Sequence, residues 1–301
     1  MSDYLNNNNF SPINNFGTKY GGTASRKASL LFEQKVLIWL SKFKFTNNII
    51  IADLCDMKPT SARDKLRKLA NKNLIRKVQC MSVRDNFVYI LTQSGVNKLF
   101  DNYNIKSPSP WLDVTKVRDK TQATHDLCVQ YFCAIQSAIN ATYSIKSEFE
   151  LGDLPKIKGR IGNSNVELKH KPDAIIKHAE GSDFSGNWAV EYESVRKSSD
   201  RLTEIFTYHY LHSNLDDRER KYWAVHYFFS RFSDLKYYKK ILNKVAINRY
   251  PVCFTHVDGG EEYDENQEQR DNFLNCFHFH HIHNQLSENF YFRDKAIDIN
   301  F

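Results

Sequence analysis

The chain has 301 residues, 41% of them apolar and 26% charged, with a net charge of +7. That is ordinary for a soluble globular protein and long enough for two domains. No apolar run reaches the ~18 residues a membrane span needs, and the polar, Asn-rich stretch from Met1 to Tyr20 has no leader-like apolar segment. The six cysteines (Cys55, Cys80, Cys128, Cys133, Cys253, Cys276) form no C-x-x-C pair and mostly sit in apolar segments, as buried free thiols do. The expectation is a reduced, cytoplasmic protein without membrane insertion.

The charge is uneven. Residues 1–110 hold 17 Lys and Arg against 7 Asp and Glu, whereas residues 111–301 hold 25 against 28. A basic first third points to a polyanionic partner.

Residues 1–28 are dominated by Asn, Ser and Gly and show no period, which predicts a disordered tail. Leu31, Val36, Leu37, Leu40 and Phe43 then have helical spacing. Ile49 to Cys55 reads as a short second helix. Pro59-Thr60-Ser61 opens a third, capped by Thr or Ser, with Ala62, Leu66, Leu69 and Ala70 inward. Leu74 to Val78 is a strand, Ser82 to Asn86 a turn, Phe87 to Leu91 the returning strand and Thr92 to Phe100 a closing helix. Three short helices followed by a hairpin is the order of a winged helix-turn-helix, and Tyr89-Ile90-Leu91-Thr92-Gln93-Ser94-Gly95 resembles the last strand and helix of bacterial winged-helix regulators. Pro108-Ser109-Pro110 stiffens the chain and marks the boundary of this domain, residues 29–106.

The second domain, residues 111–301, begins with a helix over Thr121 to Asn140. Strands are expected at Ile145 to Leu151, Pro172 to Lys177, Trp188 to Glu193, Tyr222 to Ser230 and Val252 to His256. Helices are expected at Arg201 to Leu211 and Asp234 to Val245, and Asp258 to Asp271 reads as an acidic loop. The fold class is mixed α/β.

In a helix-turn-helix the second helix of the motif enters the major groove of duplex DNA. Here that helix presents Ser61, Arg63, Lys65, Arg67 and Lys68, and the wing presents Arg84. Arg and Lys contact phosphates and read guanine edges, and a Ser near the helix start suits a phosphate. The bland alternative is a solvated charged face.

In the second domain Glu148-Phe149-Glu150 closes one strand, Lys171-Pro172-Asp173 opens another, and Glu191-Tyr192-Glu193 ends a third. Alternate strand residues share a face, so Glu191 and Glu193 are expected side by side, next to Asp173. Glu150, Asp173 and Glu191 suit a Mg2+ or Mn2+ ion, which prefers oxygen ligands and assists phosphodiester cleavage. The alternative is an exposed acidic strand face. Against it stand the apolar stretches Ala174 to Ile176 and Trp188 to Val190 beside the acids, since carboxylates clustered at a core edge need a cation or a proton.

The order winged helix, His125-Asp126 helix, Glu, Pro172-Asp173, Glu191-x-Glu193, amphipathic helix resembles the replication-relaxation proteins, and among them the MobC-type plasmid mobilization relaxases. The resemblance runs from about Leu30 to Ser230. It implies a nuclease domain of the PD-(D/E)xK type, similar to restriction endonucleases. It also implies metal-dependent nicking of one DNA strand at a plasmid origin of transfer, with relaxosome accessory or coupling proteins as partners. Pro172-Asp173 then falls on the Pro-Asp element and Glu191 on the second acid. The usual Lys two residues later is replaced by Glu193, and Lys197 or Lys171 is the candidate substitute. The catalytic set implied is Asp173, Glu191, Glu193 and Lys197. A DNA-binding protein with a degenerate nuclease fold, such as a replication initiator or regulator, is the competing reading, and a restriction or transposon-end endonuclease a third.

The run Cys276-Phe277-His278-Phe279-His280-His281-Ile282-His283 lacks a second ligand pair at zinc-finger spacing and is expected to be an edge strand. Asn163-Ser164-Asn165 is set aside as a glycosylation signal in a cytoplasmic chain. No Gly-rich phosphate loop is present, which argues against an NTPase.

Overall fold

The computed structural model describes residues 24–80, 87–103, 123–139, 142–161, 164–178, 186–216, 219–250 and 265–281. The chain divides into two compact units, Met1–Glu150 with Ile176–Ser185, and Leu151–Ile175 with Gly186–Phe301. Among the described residues there are eight helices and both parallel and antiparallel strand pairs, a mixed α/β architecture.

The first unit contains α1 (Ala24–Phe43), β1 (Phe45–Thr46), α2 (Asn48–Leu54), α3 (Pro59–Asn71), β2 (Ile75–Gln79), β3 (Phe87–Leu91), α4 (Gln93–Tyr103), α5 (Ala123–Ile139) and β4 (Thr142–Ser147). β3 is the central strand of an antiparallel sheet of order β1-β3-β2. Val36, Leu37 and Leu40 of α1, Ile50 and Ile51 of α2, and Ala62, Leu66 and Leu69 of α3 are buried, so the helical spacing of these apolar residues does make the core. Asn47 starts α2 by accepting the N–H groups of Ile49 and Ile50 at 3.1 and 2.9 Å, a capping arrangement that satisfies two of the helix's orphan donors.

The start of α3 differs from expectation. Its cap is Lys58, which makes no side-chain hydrogen bond; Pro59 occupies the first turn, and Thr60 and Ser61 lie inside the helix. Proline is preorganised for that position and has no N–H to satisfy. The Thr92-Gln93-Ser94-Gly95 phrase has a local cause. Thr92 Oγ1 accepts the N–H of Gly95 at 3.1 Å, and a Cβ on Gly95 would stand 2.1 Å from the carbonyl oxygen of Leu74. Only glycine lets α4 start so close to the backbone leading into β2.

Helix α5 and strand β4, expected to open the second domain, belong with the first unit. Trp39 Nε1 of α1 donates to Gln130 Oε1 of α5 at 3.1 Å, and α2 packs on α5. β4 begins earlier than expected and ends at Ser147, so Glu148, Phe149 and Glu150 form a turn after the strand.

The second unit contains β5 (Ile157–Ile161), β6 (Ser164–Leu168), the first residues of β7 (Ala174–His178), β8 (Asn187–Glu193), α6 (Ser199–Ser213), β9 (Ala224–Phe229), α7 (Phe232–Arg249), α8 (Glu265–Asn275) and β10 (Phe277–His281). β8, β9 and β10 are parallel neighbours in that order, and β7 lies on the other side of β8. Ala189, Val225, Tyr227, Phe229 and Phe277 make one face of this sheet a core with Leu202 and Phe206 of α6, Tyr238 and Leu242 of α7, and Phe273 of α8. Trp188 faces the other way and stacks on His226, ring centroids 4.2 Å apart. Among the described strands β10, which carries the His-rich run, lies at one end of the sheet order.

Two expectations fail here. The β5–β6 hairpin is absent from the sequence reading. Its strands, Ile-Lys-Gly-Arg-Ile and Ser-Asn-Val-Glu-Leu, are short and polar, and it is held by Ile157 and Leu168 packing on Tyr208 of α6. The acidic stretch expected as loop is partly helical, because α8 starts at Glu265 and buries Phe273. The tail before residue 24, the wing turn with Arg84, and the expected strand Val252 to His256 lie outside the described residues. Among the described residues no helix is long and apolar enough to cross a membrane.

Candidate functional site

Strand β8 carries two of the predicted acids. Ala189 belongs to the helix-covered core, and a strand's period of two puts Glu191 and Glu193 on that same face. Both are buried, at 4% and 3% exposure. Asp173 precedes β7 and is locked against β8 by its backbone and its side chain. Its N–H donates to the Val190 carbonyl at 3.1 Å, and its Oδ2 accepts the N–H of Tyr192 at 2.8 Å. The structure therefore brings Asp173, Glu191 and Glu193 together.

Each acid has a different set of partners. Glu191 lies between two imidazoles, with Nε2 of His170 2.7 Å and Nε2 of His209 3.4 Å from its Oε1. Nδ1 of His209, in turn, is 2.8 Å from the hydroxyl of Tyr222. Glu193 is ion-paired with Lys197, and the nearby Tyr238 hydroxyl favours its ionised form, while the backbone N–H of Lys197 donates to that hydroxyl oxygen at 3.3 Å. Lys197 stands ahead of α6, whose cap is Ser198, and not within it. The segment is pinned by Arg196, whose Nε and Nη2 both donate to Asp234 at the start of α7, at 2.9 and 2.7 Å.

Crowding of acids in a buried place disfavours their charged forms. Burial, then the charge of Glu191, pushes the Asp173 carboxyl well above the ordinary carboxylate range. Burial also raises Glu193, against the opposing pull of Lys197. Glu191 is the exception: burial would raise it, but His170 and His209 together hold it below the usual range, so it stays ionised. Burial drives His209 down to about 4. An ionised Glu191, a second acid that ionises only when its neighbours are compensated, and a lysine at the rim form a site whose negative charge a cation relieves.

Glu150 belongs to the first unit, where its carboxylate takes Lys42 Nζ at 3.0 Å and the N–H of Ser147 at 3.0 Å. Sequence reasoning missed His170 and His209. The run His170-Lys171-Pro172-Asp173 held a local signal for the first. For His209, in the Tyr208-His209-Tyr210-Leu211-His212 stretch, the only signal was a density of polar aromatics on a helix that must be buried.

In the first unit, Ser61, Arg63, Arg67 and Lys68 of α3 are exposed, whereas Lys65 is half-buried with its ammonium 5.0 Å above the ring of Phe32. Arg67 lies 3.7 Å from Asp64, an exposed pair of little energetic weight. Arg76 and Lys77 of β2 are also exposed and add to this basic surface, although sequence reasoning did not single them out. Ala62, Leu66 and Leu69 fix the opposite face of α3 in the core.

Comparison with protein-family models, with curated proteins and with solved structures found no match.

Proposed function

We propose that this protein is a metal-dependent DNA endonuclease that nicks one strand, acting as a plasmid mobilization relaxase at an origin of transfer. The observation that carries the reading is the cluster of buried Glu191 and Glu193 with half-buried Asp173 and Lys197 around the end of β8. Acids gathered at one edge of a mixed sheet, followed by a lysine, are the kit with which a divalent ion is held at a phosphodiester. The chain order β7, β8, α6, β9 in the second unit, with β8 parallel to β9, supports a restriction-endonuclease-like domain. In this reading Lys197 has migrated into the role of the lysine that Glu193 displaces.

The first unit supplies DNA binding as a winged helix-turn-helix. α2 and α3 are the motif, β2 and β3 the base of the wing, and Ser61, Arg63, Lys65, Arg67 and Lys68 with Arg76 and Lys77 the phosphate-facing surface. The ion, Mg2+ or Mn2+, would be held by Asp173 and Glu191, and it supplies stabilisation of the charge that builds on the phosphate during cleavage. The chain's own groups orient that ion and place the Lys197 ammonium beside it.

A second reading is favoured by one observation, the engagement of Lys197 by Glu193, which neutralises the lysine that the nuclease reading needs. On that reading the protein binds DNA without cutting it. Supercoiled plasmid carrying the cognate origin, incubated with the protein in Mg2+, Mn2+ or EDTA, separates the two. Metal-dependent open circles are expected; intact supercoils in every metal would sink the nuclease reading.

A further inference from the structure

Magnesium takes oxygen ligands and keeps several waters, whereas Mn2+, Co2+, Ni2+ and Zn2+ accept imidazole nitrogen readily. The donors beside Glu191 include two imidazoles. Nε2 of His170, Oε1 of Glu191 and Nε2 of His209 all lie within 4.8 Å of one another. His209 is fully buried, and its Nε2 has no hydrogen-bond partner. Its other nitrogen sits on the Tyr222 hydroxyl at 2.8 Å, the kind of outer contact that fixes the ring and tautomer of a metal-ligating histidine. A buried ring nitrogen without a partner is destabilising, and a metal bond removes that cost.

The purely structural alternative is that both histidines serve as N–H donors to Glu191. His170 meets that description at 2.7 Å. His209 meets it poorly, because its Nε2 stands 3.4 Å from Glu191 Oε1, a weak electrostatic contact outside good hydrogen-bond geometry.

We infer that His170, Glu191 and His209 form a binding site for a divalent first-row transition-metal ion, in preference to Mg2+. The catalytic use of that ion rests on the nuclease reading given above, but its binding does not.

The full-length protein, freed of metal with EDTA, is titrated with Co2+ and followed by its visible absorption, then challenged with Zn2+ and with Mg2+. One equivalent of Co2+ is expected to give a ligand-field band that Zn2+ abolishes and excess Mg2+ leaves in place. His170→Gln, at the half-buried position, and His209→Gln should weaken Co2+ binding by at least about tenfold, and Tyr222→Phe by roughly 10- to 100-fold through the outer contact. Circular dichroism identifies any variant that fails to fold, and the others then carry the test. No band, or a band indifferent to every folded variant, overturns the inference. Nicking in Mg2+ without a histidine-dependent Co2+ site overturns it while leaving the nuclease reading standing. A histidine-dependent site in a protein that cuts no DNA in any metal does the reverse.

Discussion

Lys197 places its ammonium on the carboxylate of Glu193, the residue that stands two positions after Glu191. A lysine two positions after the second acid would extend from β8 itself. Here the strand position holds an acid, and the cation returns from the segment between β8 and α6, held by Arg196 on Asp234 and by Tyr238. The lysine charge is thus delivered to the same end of β8 by a different stretch of chain.

Lys197→Ala therefore removes the ammonium that pairs with this acid set. Single-turnover nicking is expected to fall on the order of 100-fold, the range found when one charge-stabilising donor is removed. DNA affinity at constant salt should change little, because one partly buried lysine is a small share of the phosphate-binding charge. Glu193→Gln frees the lysine and keeps the shape, so a milder loss is expected. A rate in Lys197→Ala equal to the parent's would reject the migrated-lysine role.

Asp173→Asn keeps an oxygen to accept the Tyr192 N–H while removing the charge, so the fold is expected to survive. Nicking should drop by orders of magnitude. Duplex binding should hold, since Asn keeps the size of Asp173 and its contact with the Tyr192 N–H. A mating assay with folded, DNA-binding Asp173→Asn protein is decisive in the other direction: transfer at the parental level would show that cleavage at this site is not what the protein does.

The parts of this site differ in how legible they are in the sequence. Glu191 and Glu193 can be read because strand periodicity is local and their apolar neighbours Ala189 and Val190 announce burial. Asp173 can be read because Pro172 marks where a strand opens. His170 and His209 come from different elements, and no local rule ties a helix position to one particular strand residue; only the packing of α6 on the sheet does so. Glu150 lies in a turn just past β4, and its partner Lys42 is remote in sequence, so no local pattern announces that ion pair. In the first unit Val36, Leu37, Leu40, Phe43, Ala62, Leu66 and Leu69 are legible from helical spacing, whereas α1 is buried on all sides from Val36 to Phe43, so that rule does not reveal Ile38 and Trp39.

The basic face of α3 makes a prediction about salt. Arg63, Arg67 and Lys68 are exposed and carry no strong internal pairing, so their removal should leave stability near the parental value. Each phosphate-binding cation removed should reduce the slope of log affinity against log salt by roughly one unit. The triple alanine variant is thus expected to bind duplex DNA more weakly at low salt and to converge with the parent at high salt. Adding Arg76→Ala and Lys77→Ala should flatten the slope further. Fluorescence anisotropy over a salt series measures this, and an unchanged slope would move the DNA surface away from α3.

His212 predicts how stability depends on pH. It is fully buried, both ring nitrogens lack partners, and it stacks on Tyr222 at 4.2 Å with the rings 9° from parallel. Burial first, then the charges of His209, Lys221 and Arg220, lower its pKa from 6.5 to about 4. The unfolded chain therefore takes up a proton near 6.5 that the folded chain refuses until about 4. Stability supported by neutral His212 is complete above about pH 6.5, is lost as the pH falls through that window, and declines no further below about 4. For one such group the loss is on the order of 3 kcal/mol. His212→Phe keeps a flat ring on Tyr222 and removes both the proton site and the unsatisfied nitrogens. Its Tm should equal or exceed the parent's at about pH 7.5 and exceed it by a wider margin at about pH 5. His209 and His280 still titrate in the variant, so some acid sensitivity remains. Parallel Tm curves for the two proteins across that range would show that His212 does not resist protonation.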